Sequence, residues 1–228
     1  MSIKVYSSST IKKPQFVKSD AVSSIGFEVD FAKWLPFAAE CYNISRNPKD
    51  YLLYPVPILY SDLPNRNGIG MPLSELTKWN RERGTQAFAA WKGMPMFKEH
   101  SSDVVKEALG VIADTALRPI TGFGNGKFYK VMALAALDRS KGAEYVSLVE
   151  RGEVNSYSMG AMVESWSCAY CGAGEGKCNH IDPKKPVNFY ELNGRLVFKN
   201  VHDINPYELS IVKDPAYPTA ISDTQITF

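Results

Sequence analysis

Two apolar runs lying close together set the strongest limit on what this chain can fold into. "EALGVIADTAL" (107–117) is mostly apolar with Gly110 inside it, which fits a buried strand better than a helix. "GNGKFYKVMALAAL" (124–137) supplies a turn and then a second buried strand. Two such strands need partners on both edges and cover on both faces, so the surrounding chain must supply more sheet. It does. "YLLYPVPILY" (51–60) is rich in β-formers, and its prolines confine it to an edge or to two short strands. "MPMF" (94–97) is a short strand leading into Lys98, Glu99 and His100.

"VNSYSMGAMVESW" (154–166) alternates, with Tyr157, Met159, Ala161 and Val163 on one face and Ser156, Ser158, Gly160 and Met162 on the other. "RLVFKNV" (195–201) and "YELSIV" (207–212) follow, the second setting Tyr207, Leu209 and Ile211 against Glu208, Ser210 and Val212. "SKGAEYVSLVERG" (140–152) is the clearest helix, with Ala143, Val146 and Val149 on one face and Gly152 placed to end it. In "FEVDFAKWLPFAAECYNI" (27–44) Pro36 is expected to interrupt any helix. "DLPNRNGIGMP" (62–72) reads as loop, and residues 1–25 are a polar, Ser/Lys-rich lead-in. The sum is α+β: a strand-rich small β-barrel with peripheral helices. Residues 1–50 are expected to be an N-terminal arm or extension, and 51–228 the main domain.

At 228 residues, with 45% hydrophobic and 22% charged, the chain is ordinary for a globular protein. Its net charge of +2 gives no case for nucleic acid or an anionic membrane. Lys12–Lys13 and Lys184–Lys185 are pairs rather than tracts. The N-terminus has no signal-like apolar core, and the longest apolar run, "VMALAAL", is too short to span a bilayer. The expected compartment is a reducing cytoplasm, where four cysteines do not make a disulfide scaffold.

Three of those cysteines and a histidine share one loop, Cys168-x2-Cys171-x6-Cys178-x1-His180, inside a cysteine-rich insertion at 166–186. The spacing suits a tetrahedral zinc, and Gly172, Gly174 and Gly176 allow the tight wrapping. Four protein ligands leave no position for a water, so such a zinc is structural and pins the loop beside the neighbouring serine. A metal-free loop or a redox pair at Cys168 and Cys171 are the competing readings.

That serine, Ser158, stands off the apolar face of its strand, with Gly160 leaving room for a substrate. Glu208 stands likewise off the apolar face of its own strand. If His180 ligates metal, His100 and His202 remain as candidate bases.

Four segments in order resemble the tailed-phage prohead (capsid maturation) serine proteases, which are related in fold to the herpesvirus assemblins. They are "PNRNGIGMPLSEL" with "FAAWKGMPMFKEHSSDVVKEALGVIADTAL", then "KVMALAALDRSKGAEYVSLVERGEV", then "SYSMG", then "YELSIVKDPAYPTA". The likeness spans about residues 55 to 220 and extends to the cysteine loop, which some members of the group carry after the Ser-Met-Gly strand. It implies that Ser158 is the nucleophile, His100 the general base and Glu208 the third member, with His202 and Asp203 as competitors for that last place. It also implies a serine endopeptidase inside an assembling prohead in the host cytoplasm. Its substrates are scaffold and major capsid proteins, and itself. No catalytic cofactor, nucleic acid or membrane is expected, and a homo-oligomer is compatible with the chain. The alternative is a catalytically inactive virion structural protein that keeps the fold. A zinc-ribbon nucleic-acid binder fits poorly with the near-neutral charge.

Overall fold

In the computed structural model the two apolar runs become adjacent antiparallel strands, β6 (Gly110–Ile120) and β7 (Phe128–Asp138). The structure describes residues 26–102, 104–120, 128–154, 156–181 and 189–213. The readings for residues 1–25, for the turn at 124–127 and for the Lys184–Lys185 pair lie outside these.

Both strands read as largely apolar because both of their faces are covered. Val111, Ala113, Leu134 and Ala136 belong to one core, whereas Ile112, Ala133, Ala135 and Leu137 belong to a second. β1 (Tyr51–Tyr60) pairs with the other edge of β7 and divides in the same way. Tyr51 and Leu53 enter the first core; Leu52, Tyr54, Val56 and Ile58 enter the second. β1 is one continuous strand at the end of the sheet, and its prolines sit where no further strand asks for an N–H.

The first core is closed by α1 (Phe31–Tyr42), which buries Leu35, Ala38 and Ala39. Pro36 therefore does not interrupt the helix. It lies on the solvent side, and burial of the opposite face outweighs the lost backbone bond. The residues between 27 and 44 thus form a layer of the fold.

The remaining elements are β2 (Ile69–Gly70), α2 (Leu73–Thr77), β3 (Trp79–Asn80), β4 (Thr85–Gln86), β5 (Pro95–Lys98), α3 (Ala143–Glu150), β8 (Tyr157–Cys168), β9 (Tyr190–Leu192), β10 (Arg195–Val197) and β11 (Lys199–Ile211). α3 ends as expected, with Val146 and Val149 buried and Gly152 left-handed at φ 73°. Ahead of it, buried Asp138 accepts from the N–H groups of Ser45, Ser140 and Lys141, tying the helix start to the segment after α1.

The main sheet is mixed, in the order β1-β7-β6-β5-β11-β2, with β8 also paired to β11. β11 runs parallel to β5 and β2 and antiparallel to β8. The expected small barrel does not close. β1 and β8 approach through Tyr54 and Tyr157, whose ring centroids are 5.8 Å apart, but no ladder joins them among the described residues. Pro55 and Pro57 explain this, since the outer edge of β1 lacks the donors that closure needs. The fold is α+β and strand-rich, with an open, curled mixed sheet. No helix among the described residues is long and apolar enough to cross a membrane.

Candidate functional site

β11 is the organising strand of the site. Its last residues pair on one side with β5, setting Ser210 beside Phe97 and Ile211 beside Lys98. On the other side they pair with β8, setting Ser210 opposite Ser158 and Glu208 opposite Gly160. Directly opposed residues of antiparallel strands project from the same face, their Cβ atoms about 5 Å apart. A bulge between Pro206 and Glu208 turns Glu208 and Ser210 away from the core that Leu209 and Ile211 enter.

The chain leaves β5 and turns sharply over this face. Glu99 and His100 both adopt left-handed backbone, at φ 47° and 58°, a conformation unfavourable for residues with a Cβ. The turn is held at four points. Glu99 N–H donates to the Ile211 carbonyl at 2.9 Å, and Lys213 N–H donates to Glu99 Oε1 at 3.1 Å. His100 N–H donates to Ser210 Oγ at 3.1 Å, and His100 Nδ1 lies 2.8 Å from Glu208 Oε1.

Glu208 is fully buried, whereas the His100 side chain is about half exposed. A carboxylate removed from water must be partnered. Here one oxygen faces His100 and the other accepts from Ser210 Oγ at 2.5 Å. The hydrogen bond to Glu208 raises the His100 pKa above its ordinary 6.5; partial burial opposes this, and the charges of Glu208 and Glu99 add to it.

The chain thus brings Ser158, His100 and Glu208 to one place, 108 residues separating the last two. Among the described residues no hydrogen bond joins Ser158 to His100, and Ser158 is 7% exposed. Such pairs commonly tighten only around a substrate. The room expected over Gly160 for a substrate is already taken. A Cβ there would lie 2.5 Å from Glu208 Oε1 and 2.6 Å from Tyr207 Cζ, so Gly160 makes room for the carboxylate.

The two competitors for the third place lie elsewhere. His202 is eight residues from Ser210 along β11, roughly 27 Å at a strand's rise. It meets Ser167 Oγ at 2.8 Å through Nε2 and Glu75 Oε1 at 3.4 Å through Nδ1, a second Ser/His/Glu group that spacing alone did not reveal. Asp203 pairs with Lys78, and its N–H donates to Glu75.

The cysteine loop closes on itself beyond the end of β8. The ligand atoms of Cys168, Cys171, Cys178 and His180 all lie within 4.8 Å of one another, a set that could hold a metal ion. Gly172 and Gly176 take left-handed φ of 76° and 69° in open space. Gly174 instead bridges Ser167 as a strand residue would. Burial opposes ionisation of the Cys178 thiol. The N–H groups of His180 and Ile181 and the His180 side chain outweigh it, holding the thiol down at about 6. His180 Nδ1 is buried with no hydrogen-bond partner, an orphaned nitrogen that a metal would satisfy. Cys41 sits apart in α1.

The loop does not stand beside the serine. Cys168 is ten residues from Ser158 on the same strand, roughly 33 Å away. The expectation that a metal there props the candidate site fails because β8 is one continuous strand. Comparison with protein-family models, curated proteins and solved structures finds no match to the chain.

Proposed function

We propose that this chain is a serine endopeptidase with Ser158 as nucleophile, His100 as general base and Glu208 as the group that orients the base. The observation that carries the reading is the buried Glu208 carboxylate 2.8 Å from His100 Nδ1, on the strand whose register sets Ser158 on the same face. With Nδ1–H donated to Glu208, Nε2 carries the lone pair that takes the Ser158 proton. The alkoxide attacks the scissile carbonyl, and the resulting imidazolium, paired with Glu208, protonates the departing amine. Water, deprotonated by the same nitrogen, then hydrolyses the acyl-enzyme.

The resemblance to prohead proteases carries the biological half of the proposal: an assemblin-like fold, with scaffold and capsid proteins as substrates inside an assembling particle. Zinc at Cys168, Cys171, Cys178 and His180 fits as a structural ion, because all four positions are protein ligands. It takes no part in the chemistry.

The group at Ser167, His202 and Glu75 makes its Ser–His hydrogen bond already, which favours it as a second reading. Its carboxylate is the looser partner, at 3.4 Å and partly exposed. The test is co-expression with capsid and scaffold proteins, following their processing and the intact mass of the chain itself. Ser158→Ala is expected to stop cleavage and Ser167→Ala to leave it running. Cleavage that survives Ser158→Ala but not Ser167→Ala moves the chemistry to the second group. A wild-type chain that never cleaves and stays full-length in mature particles marks a structural protein instead.

A further inference from the structure

Ser210 entered the sequence reading as an alternating strand residue with no role of its own, yet it touches both the proposed base and its carboxylate partner. We infer that Ser210 is a positioning residue that locks the His100–Glu208 pair in register with Ser158, an inference that rests on the reading of His100 as the base.

A hydroxyl has one proton and two lone pairs, so it can donate and accept at once. Ser210 does both: Oγ donates to Glu208 Oε2 at 2.5 Å and accepts from His100 N–H at 3.1 Å. The first bond fixes the carboxylate plane. With Oε2 held, Oε1 has one direction to point, and that direction meets His100 Nδ1. The second bond grips the backbone of a residue in left-handed φ, where a chain with a Cβ stays only if its surroundings hold it.

The same commitments separate the two serines that face each other across the β8–β11 ladder. Ser210 is fully buried and its proton is spent on a carboxylate, so it cannot attack a substrate. Because its proton is committed to Glu208, Ser210 has none to donate to its cross-strand neighbour Ser158. The local pattern is Glu-x-Ser on one strand opposed to Ser-x-Gly on the next. One hydroxyl is for support, one is for chemistry, and a glycine clears space for the carboxylate between them.

The experiment uses the full chain as wild type, Ser210→Ala, Ser210→Cys and Glu208→Gln. Two quantities are measured: the His100 imidazole titration by NMR, and the rate at which a fluorophosphonate labels Ser158. Loss of the Ser210 hydroxyl is expected to lower the His100 pKa back toward 6.5 as the Glu208 contact loosens. Labelling is expected to slow roughly 10- to 100-fold while staying on Ser158. Ser210→Cys, larger only by its sulfur and a weaker donor, should fall between, and it decides the matter if the alanine variant loses its fold. A His100 titration in the Ser210 variants identical to wild type overturns the inference. Absence of labelling in the wild type counts against the protease reading alone, because the titration still reports on Ser210.

Discussion

His100 sits under two demands that respond to pH in opposite directions. Its raised pKa means that the protonated ring is stabilised by Glu208 in the folded chain. That contribution to stability is fully present below 6.5 and is lost as pH rises through the raised value. A general base needs the neutral ring, so activity should switch on over the same rise, above 6.5. Glu208→Gln removes the charge and keeps the shape. The acid limb of kcat/KM is then expected to move down toward 6.5, with the plateau lower by roughly 10²- to 10⁴-fold. An unmoved limb would show that Glu208 does not govern the base. Gly160→Ala tests the same carboxylate from the other side. Its Cβ would press on Glu208 Oε1 and the Tyr207 ring, one of which must shift. Thermal unfolding should report a loss of about 1–3 kcal/mol, and NMR should report His100 titrating closer to 6.5. Ser158 and Glu208 were each legible as residues standing off an apolar face, and His100 as a candidate base beyond the strand at 94–97. What stood over Gly160 was not, because a strand's alternation gives a face but never its occupant.

Among the elements, β11 joins most of what matters. Its 13 residues pair with β2 and β5 in parallel and with β8 antiparallel, so one strand sets both the distance from His100 to Glu208 and the register of Ser158. Sequence alone divided this strand, giving its start to "RLVFKNV" together with β10 and its end to "YELSIV"; between them Asp203 at φ 53° and the bulge at Tyr207 break the alternation. β8 likewise carries the candidate nucleophile near one end and a candidate metal ligand at the other. That separation predicts independence. One zinc per chain should bind, as counted by native mass spectrometry. Removing it with a chelator should lower the melting temperature and raise amide exchange around residues 168–180. The titration of His100, which lies by the other end of β8, should not change. Cys171→Ser should reproduce the chelator's effect. A shift at His100 on metal removal would mean that β8 transmits the loop's state along its length.

For the whole molecule the decisive feature is a sheet covered on both faces. The inner core lies in the curl of the sheet, while the outer core is roofed by α1. Leu35, 1% exposed, is the centre of that roof. Leu35→Ala should therefore cost about 2–5 kcal/mol in chemical denaturation, a core-sized loss from a segment that reads as an extension. A cost near zero would show that α1 rests on a fold complete without it. The same two-sided burial explains why the apolar runs at β6 and β7 were recognisable as strands: their apolar residues divide between two cores.

Local chemistry was decided by the sequence itself. Apolar runs and alternation named the long strands, Gly152 ended α3, and the Cys-x2-Cys-x6-Cys-x-His spacing drew four candidate ligand atoms within 4.8 Å, because each depends on residues close in the chain. Only the tertiary structure decided the long-range matters. It left the barrel open, since Pro55 and Pro57 cannot donate along the free edge of β1. It kept α1 helical through Pro36, since burial of the opposite face outweighs one missing hydrogen bond. It also set Glu208, rather than His202 or Asp203, against His100, because strand register, fixed by side chains far apart in the chain, determines which polar residue meets it.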